Sequence, residues 1–173
     1  MGKQSVLTII ILICGLPGVG KSSLASKLAP LINAVVLSTD HIRKELFEKP
    51  KYTRKEKALV YDVLILIARF LYEAGVNCIL DATFNSERSR SEVKTKLRLG
   101  NNCIRIIECI CPEKIVLDRL KHRRQGYSDA DASIYFNMKK FSEPILDEHI
   151  TVDTCNISKL DMERLINYMV KQY

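Results

Sequence analysis

The sequence predicts an α/β fold in which a parallel sheet lies between two layers of helices. Three observations carry that prediction. Residues 6–14 form an almost unbroken apolar run with Thr8 as its single polar residue, as expected of a strand covered on both faces. Short apolar runs then alternate with longer segments of helical periodicity along the whole chain. Gly or Pro punctuates several of the boundaries, as at Pro30, Gly75, Gly100 and Pro112. Strand and helix in alternation favour parallel pairing through right-handed crossovers. Ligands of such sheets sit outside the carboxyl ends of the strands, so the residues after each strand are the ones to read for chemistry.

In chain order, 6–14 is the first strand and 20–30 a helix ended by Pro30. Residues 34–38 are a second strand, 40–48 a short helix, and 54–74 a long helix stopped by Gly75. The third strand is 76–80, followed by a helix over 86–99 that Gly100 stops. Residues 103–111 are the fourth strand. Pro112 then opens a helix over 112–122, since proline suits the first helical turn. A helix over 129–141, a last strand at 149–152 and a helix over 159–170 capped by Ser158 complete the pattern. No repeat, linker or low-complexity segment interrupts it, and the length of 173 residues predicts a single domain over 1–173.

The composition, with 47% apolar residues, excludes a disordered chain, and seven Gly and five Pro exclude a fibrous one. Lys and Arg number 27 against 20 Asp and Glu, a net charge of +7. The excess lies at 49–57 and 88–98, with a further local cluster at 119–124. A face of this sign suits an anionic partner, although solvated helix surfaces explain most such residues. The six cysteines (14, 78, 103, 109, 111 and 155) mostly lie in strand-like runs and include no CxxC pair, which argues for buried thiols rather than disulfides or zinc. Reduced thiols predict a cytoplasmic protein. The run at 6–14 ends in Gly-Leu-Pro-Gly rather than a small-residue cleavage site. Asp62 and Arg69 interrupt the apolar stretch 58–72 well short of the about 20 residues a membrane span needs. No membrane partner is expected; a monomer or homodimer is. His41, His122 and His149 do not cluster, and Met138, Met162 and Met169 read as packing residues.

Four signals carry chemistry. Gly15-Leu16-Pro17-Gly18-Val19-Gly20-Lys21-Ser22 matches G-x-x-x-x-G-K-[ST] in full and lies between a strand and a helix. Its glycines let several N–H groups converge on an anion, and the helix start adds its positive end. Lys21 can reach the β- and γ-phosphates, Ser22 can ligate Mg²⁺, and Ser23 can contact the α-phosphate. The motif predicts binding of a nucleoside triphosphate. The second signal is Ser38-Thr39-Asp40-His41-Ile42-Arg43. Asp40 and Arg43 share one side of a first helical turn, where a carboxylate can accept a hydroxyl proton and a guanidinium can fix an anionic group; a simple helix cap is the alternative. The third is Asp81 at the end of the third strand, where it can hold Mg²⁺ or merely make a turn. The fourth is Arg119–Arg124 before Gly126, suited to a lid over about 119–130 that neutralises a transferring phosphoryl group, or to a solvated helix face.

Together these residues resemble the small P-loop kinases, a group that includes zeta-toxin-like kinases, the kinase domain of phage-type polynucleotide kinase, adenylylsulfate kinase and chloramphenicol phosphotransferase. The resemblance runs from Val6 to Asp153 and rests on Gly15–Ser23, Asp40-x-x-Arg43, Ile79–Asn85 and Asp118-Arg119…Arg123. It implies a three-layer P-loop NTPase sandwich with a five-stranded parallel sheet in the order 2-3-1-4-5 and a helical lid. It further implies ATP and Mg²⁺ as cofactors, Asp40 as general base, Arg43 as an acceptor-site group, Arg119 and Arg123 as lid arginines, and Asp153-Thr154 near the adenine. Lys51-Tyr52-Thr53-Arg54-Lys55 is similar to a segment of polynucleotide kinase. Ser38-Thr39-Asp40-His41 replaces the Asp-Gly-Asp-Asn expected of adenylylsulfate kinase. The reading is a kinase acting on a hydroxyl of a small metabolite or nucleoside-like molecule. A polynucleotide 5′-hydroxyl kinase is the alternative, followed by adenylylsulfate kinase and a nucleotide-dependent switch without an acceptor.

Overall fold

The computed structural model describes residues 8–100, 103–122 and 129–170. Its five strands are β1 (Ile10–Cys14), β2 (Ala34–Ser38), β3 (Asn77–Asp81), β4 (Ile104–Ile110) and β5 (Ile150–Asp153). Its helices are α1 (Lys21–Leu28), α2 (Thr39–Leu46), α3 (Arg54–Glu73), α4 (Glu87–Leu97), α5 (Glu113–His122), α6 (Ala132–Lys140) and α7 (Lys159–Val170). The strands make one parallel sheet in the order β2-β3-β1-β4-β5, the order expected from the resemblance.

The sheet is central because β1 is buried at every position. Successive side chains of a strand point to opposite faces, and β1 divides its five residues accordingly. Ile11 and Ile13 pack with Leu24 and Leu28 of α1, Val116 of α5 and Leu165 of α7. Ile10, Leu12 and Cys14 pack with Leu64 and Ala68 of α3 and Val93 and Leu97 of α4. Truncating one of these residues, as in Leu24→Ala, should cost about 2–5 kcal/mol.

The helix starts are set by side-chain caps, which satisfy N–H groups left without a partner in the first turn. Thr53 Oγ1 accepts from the Glu56 amide at 3.2 Å, Ser86 and Ser89 cap each other reciprocally, and Ser158 Oγ accepts from the Asp161 amide at 3.1 Å. Asp131 accepts from the Ile134 amide at 2.9 Å, so α6 starts at Ala132 rather than at 129. The helix predicted over 20–30 divides because Pro30 has no amide hydrogen, leaving α1 and a single 3₁₀ turn over Ala29–Leu31. The first strand pairs from Ile10, later than expected; residues 6–7 lie outside the described residues. Among the described residues no helix is long and apolar enough to cross a membrane.

The register aligns the carboxyl ends of the strands. Asp81 lies level with Ile13 on one side and Ser38 on the other, so the segments after β1, β2 and β3 open on one rim.

Candidate active site

The loop after β1 is fastened from both sides. The Gly15 amide donates to the Thr83 carbonyl at 3.1 Å. A Cβ on Gly15 would lie 2.5 Å from the Cys109 carbonyl oxygen, and its φ of +137° is one that side chains disfavour. Gly20, with φ 95°, precedes α1 and leaves its first-turn amides facing outward without a side-chain cap. Such a helix start is an anion site by its free N–H groups and dipole.

A cleft of about 830 Å³ opens above this loop. Pro17, Gly18, Gly20, Lys21, Ser22 and Ser23 line one side of it. Asp40 and Arg43 of α2, Asp81 of β3 and Arg119 of α5 are among the residues that line the rest. The other loop residues singled out in the sequence, Gly15, Leu16 and Val19, do not line it. Gly15 abuts Cys109, Val19 is buried in the core, and Leu16 offers its carbonyl to Lys21. Arg123, and half of the expected lid, lie outside the described residues.

Lys21 Nζ donates to the Leu16 carbonyl at 2.9 Å. Burial lowers its pKa from the ordinary 10.5, opposed chiefly by the charge of Asp81. Asp81 is 4% exposed, and with the Ser22 hydroxyl it gives the cleft two hard oxygen donors flanking Lys21. That donor set fits Mg²⁺, which prefers few protein oxygens and keeps its remaining places for water and phosphate.

Arg43 is 6% exposed, yet among the described residues its Nε and Nη1 have no hydrogen-bond partner. Its guanidinium stacks on the Tyr52 ring, 4.8 Å from the centroid, an arrangement that leaves the in-plane N–H groups available. Tyr52 in turn donates its hydroxyl to Asp129, which also receives Lys44 Nζ at 3.2 Å. Burial, reinforced by Asp129, pushes the Tyr52 hydroxyl up to about 12, so it stays a donor at neutral pH. Arg119 donates to Thr154 twice, from Nη1 to Oγ1 at 3.3 Å and from Nη2 to the carbonyl at 3.2 Å. Thr154 Oγ1 donates to the Val19 carbonyl, which ties the β5–α7 loop to the loop after β1.

Asp129 was not singled out by the sequence, nor was Tyr52 as a partner of Arg43. Tyr52 and Asp129 are 77 residues apart, and no short motif links them. The basic stretch 88–98 is largely absorbed by the fold. Arg90 is buried and donates to the Phe84 and Pro144 carbonyls at 2.9 and 2.7 Å, while Lys94 pairs with Asp147 and Lys96 with Asp62 and Glu92. His41, His122 and His149 each lie beside a separate carboxylate, that of Glu45, Asp118 and Glu108.

A strand–loop–helix anion cradle facing an acidic and basic pair across one cleft, on a 2-3-1-4-5 parallel sheet, defines a P-loop kinase fold. The chain belongs to the AAA domain family AAA_33, whose profile matches residues 10–145, and it is a P-loop kinase domain. It is 31% identical over 135 residues to an uncharacterized protein of Mycobacterium tuberculosis (strain H37Rv), covering 71% of this chain and 27% of that protein. The chain thus spans about a quarter of the length of the curated relatives it matches. Among solved structures, a sugar kinase from Janibacter sp. superposes with TM-score 0.73 at 16% identity, covering 96% of this chain and 99% of that one. The APS kinase of Mycobacterium tuberculosis, solved with AMPPNP and APS, superposes with TM-score 0.70 at 15% identity, covering 95% and 98%. A gluconokinase from Sinorhizobium meliloti superposes with TM-score 0.66 at 12% identity, covering 95% and 90%.

Proposed function

We propose that the chain transfers the γ-phosphoryl group of ATP to a hydroxyl of a small acceptor that also carries an anionic group. The observation that carries this reading is Arg43, a buried guanidinium with two nitrogens that have no partner among the described residues, beside Asp40 in the same cleft as the anion cradle. Leaving buried donors unmade costs about 1–3 kcal/mol each, more when charged, and an anionic ligand in the cleft removes that cost.

In this reading the amides of 15–23 hold the polyphosphate, and Lys21 exchanges the Leu16 carbonyl for phosphate oxygens. Ser22 and Asp81 would hold Mg²⁺, which would supply positive charge against the polyphosphate. Asp40 accepts the proton of the acceptor hydroxyl, and Arg43 fixes the acceptor's anionic group so that the hydroxyl faces the γ-phosphorus. Arg119 neutralises charge that develops during transfer, with Arg123 as the second lid arginine. Transfer is then positioning plus charge neutralisation.

A polynucleotide 5′-hydroxyl is the second reading, favoured by the exposed Lys51, Arg54, Lys55 and Lys57 at the start of α3, of which Lys57 lines the cleft. The ion pairing of Lys94 and Lys96 and the burial of Arg90 weigh against it. Incubation with γ-labelled ATP and separate pools of anionic metabolites, neutral alcohols and 5′-hydroxyl oligonucleotides tests both. Label in an anionic small molecule supports the first reading. Label in oligonucleotide, with binding that weakens steeply as salt rises, replaces it by the second. Release of inorganic phosphate alone in every pool defeats both.

A further inference from the structure

Three of the six cysteines are sealed in the core: Cys14, Cys78 and Cys109. Burial pushes each of these thiols up to about 12, and their enclosure keeps a dissolved oxidant from reaching them. Cys103 is part-buried and takes the Tyr72 hydroxyl at 3.0 Å. Cys111 and Cys155 are different. Both are partly exposed, and their sulfurs lie 2.8 Å apart across 44 residues of chain.

Their position gives the pair a consequence. Cys111 follows the end of β4 and precedes α5, the helix that carries Arg119. Cys155 follows Thr154, the residue that holds both Arg119 and the Val19 carbonyl. The two strand ends are neighbours in the sheet, with Ile110 level with Asp153 and the Thr154 amide donating to the Ile110 carbonyl at 3.0 Å. Adjacent strands run about 4.8 Å apart, within the backbone spacing that a disulfide accepts. Bond formation needs the sulfurs to close by only about 0.8 Å.

We infer that Cys111 and Cys155 are an oxidative modification site, a dithiol that peroxide converts reversibly to a disulfide and that thereby fixes the Thr154 loop against the nucleotide cradle. The Cys111 thiolate attacks one oxygen of hydrogen peroxide, the O–O bond breaks, and hydroxide leaves with a sulfenic acid on Cys111. The Cys155 sulfur then attacks the Cys111 sulfur, and the departing oxygen leaves as water with the Cys155 proton. Two thiols are oxidised by two electrons in all, and one peroxide is reduced to two waters. Contact with Cys111, together with burial and Asp153, pushes the Cys155 thiol up to about 12, and either sulfur can donate to the other across the 2.8 Å between them. The Cys155 amide is already held by Asp153 Oδ1 at 2.9 Å, so the loop needs no rebuilding.

The disulfide acts through Thr154. A tethered loop keeps Thr154 on the Val19 carbonyl and on Arg119, and preorganisation of this kind tightens binding without any new contact. The inference rests on the nucleotide cradle and is independent of the acceptor.

The test compares the reduced chain with the chain treated with a small molar excess of hydrogen peroxide. The expected results are a fall in titratable thiols from six to four under denaturing conditions, a 111–155 cross-link on peptide mapping, and reversal by dithiothreitol. Oxidation should raise Tm by on the order of 5–10 °C and tighten Mg·ATP binding about threefold to tenfold by calorimetry. Cys155→Ser and Cys111→Ser should each abolish these changes while keeping the affinity of the reduced wild type. Six surviving thiols, a cross-link to any other cysteine, or equal affinity in the two states of the wild type overturns the inference. So does one zinc ion per chain bound by the reduced pair together with Asp153.

Discussion

Arg119 is held by Thr154 through two hydrogen bonds, one to its hydroxyl and one to its carbonyl, and the same hydroxyl donates to the carbonyl of Val19 in the phosphate loop. One residue just past β5 therefore ties an arginine on α5 to the loop after β1. All three elements meet because β4 separates β1 from β5 in the sheet and α5 leaves directly from β4.

Thr154→Val keeps the shape of that side chain and removes its hydrogen bonds. One net hydrogen bond is worth about 0.5–1.5 kcal/mol, so the Kd for ATP should rise roughly threefold to tenfold. Calorimetric titration with the triphosphate measures it; an unchanged Kd means the Thr154 clamp does not reach the nucleotide.

Lys21→Met should abolish phosphoryl transfer and at the same time stabilise the nucleotide-free chain. The charged form of Lys21 is disfavoured in the fold, since burial lowers its pKa below 10.5. A lysine lowered on folding costs stability while it is charged in both states, and that cost fades as pH rises from its lowered value towards 10.5. Thermal melts at pH 7 should show the gain in Lys21→Met, with the difference from wild type shrinking at alkaline pH.

Asp40→Ala should lower turnover by about 10²–10⁴-fold, the usual worth of a general base, with ATP binding retained. Full activity in a direct transfer assay would remove Asp40 from that role.

Arg43→Met should separate stability from function. It takes away a buried cation with two nitrogens unpartnered among the described residues and keeps much of the side-chain volume, so the unliganded chain should gain about 1–2 kcal/mol in denaturant unfolding. The KM for an anionic acceptor should rise at least about tenfold, since a charged hydrogen bond contributes about 1.5–3 kcal/mol. A neutral alcohol used at the same rate by both proteins would locate the loss in the anionic group.

Gly15→Ala should destabilise the fold by roughly 2–4 kcal/mol, because the added Cβ meets the Cys109 carbonyl oxygen at 2.5 Å in a backbone region that alanine disfavours. Gly75→Ala is the control: it has a positive φ but open space around it, and should cost about 1 kcal/mol.

Much of this was readable in one dimension. Strand β1 announces itself by an apolar run, the loop at 15–22 by glycine and lysine spacing, and Asp40 and Asp81 by standing at strand ends. The sheet order came with the family resemblance rather than from periodicity. The limits of the elements were less legible. Whether α6 starts at 129 or at 132 depends on one hydrogen bond from the Ile134 amide to Asp131, and several nearby residues could have served as that cap.

The sequence alone determined the chemistry on offer, because the glycine-rich loop and its lysine are close together in the chain, and Asp40 and Asp81 each stand at the carboxyl end of a strand that local pattern reveals, where stereochemistry and local propensity decide. Only the tertiary structure decided the partnerships: Tyr52 with Asp129, Arg119 with Thr154, Cys111 with Cys155, and the stacking of Arg43 on Tyr52. Those depend on which distant segments the packed sheet and helices bring into contact, and short-range preferences carry no record of a meeting between residues dozens of positions apart.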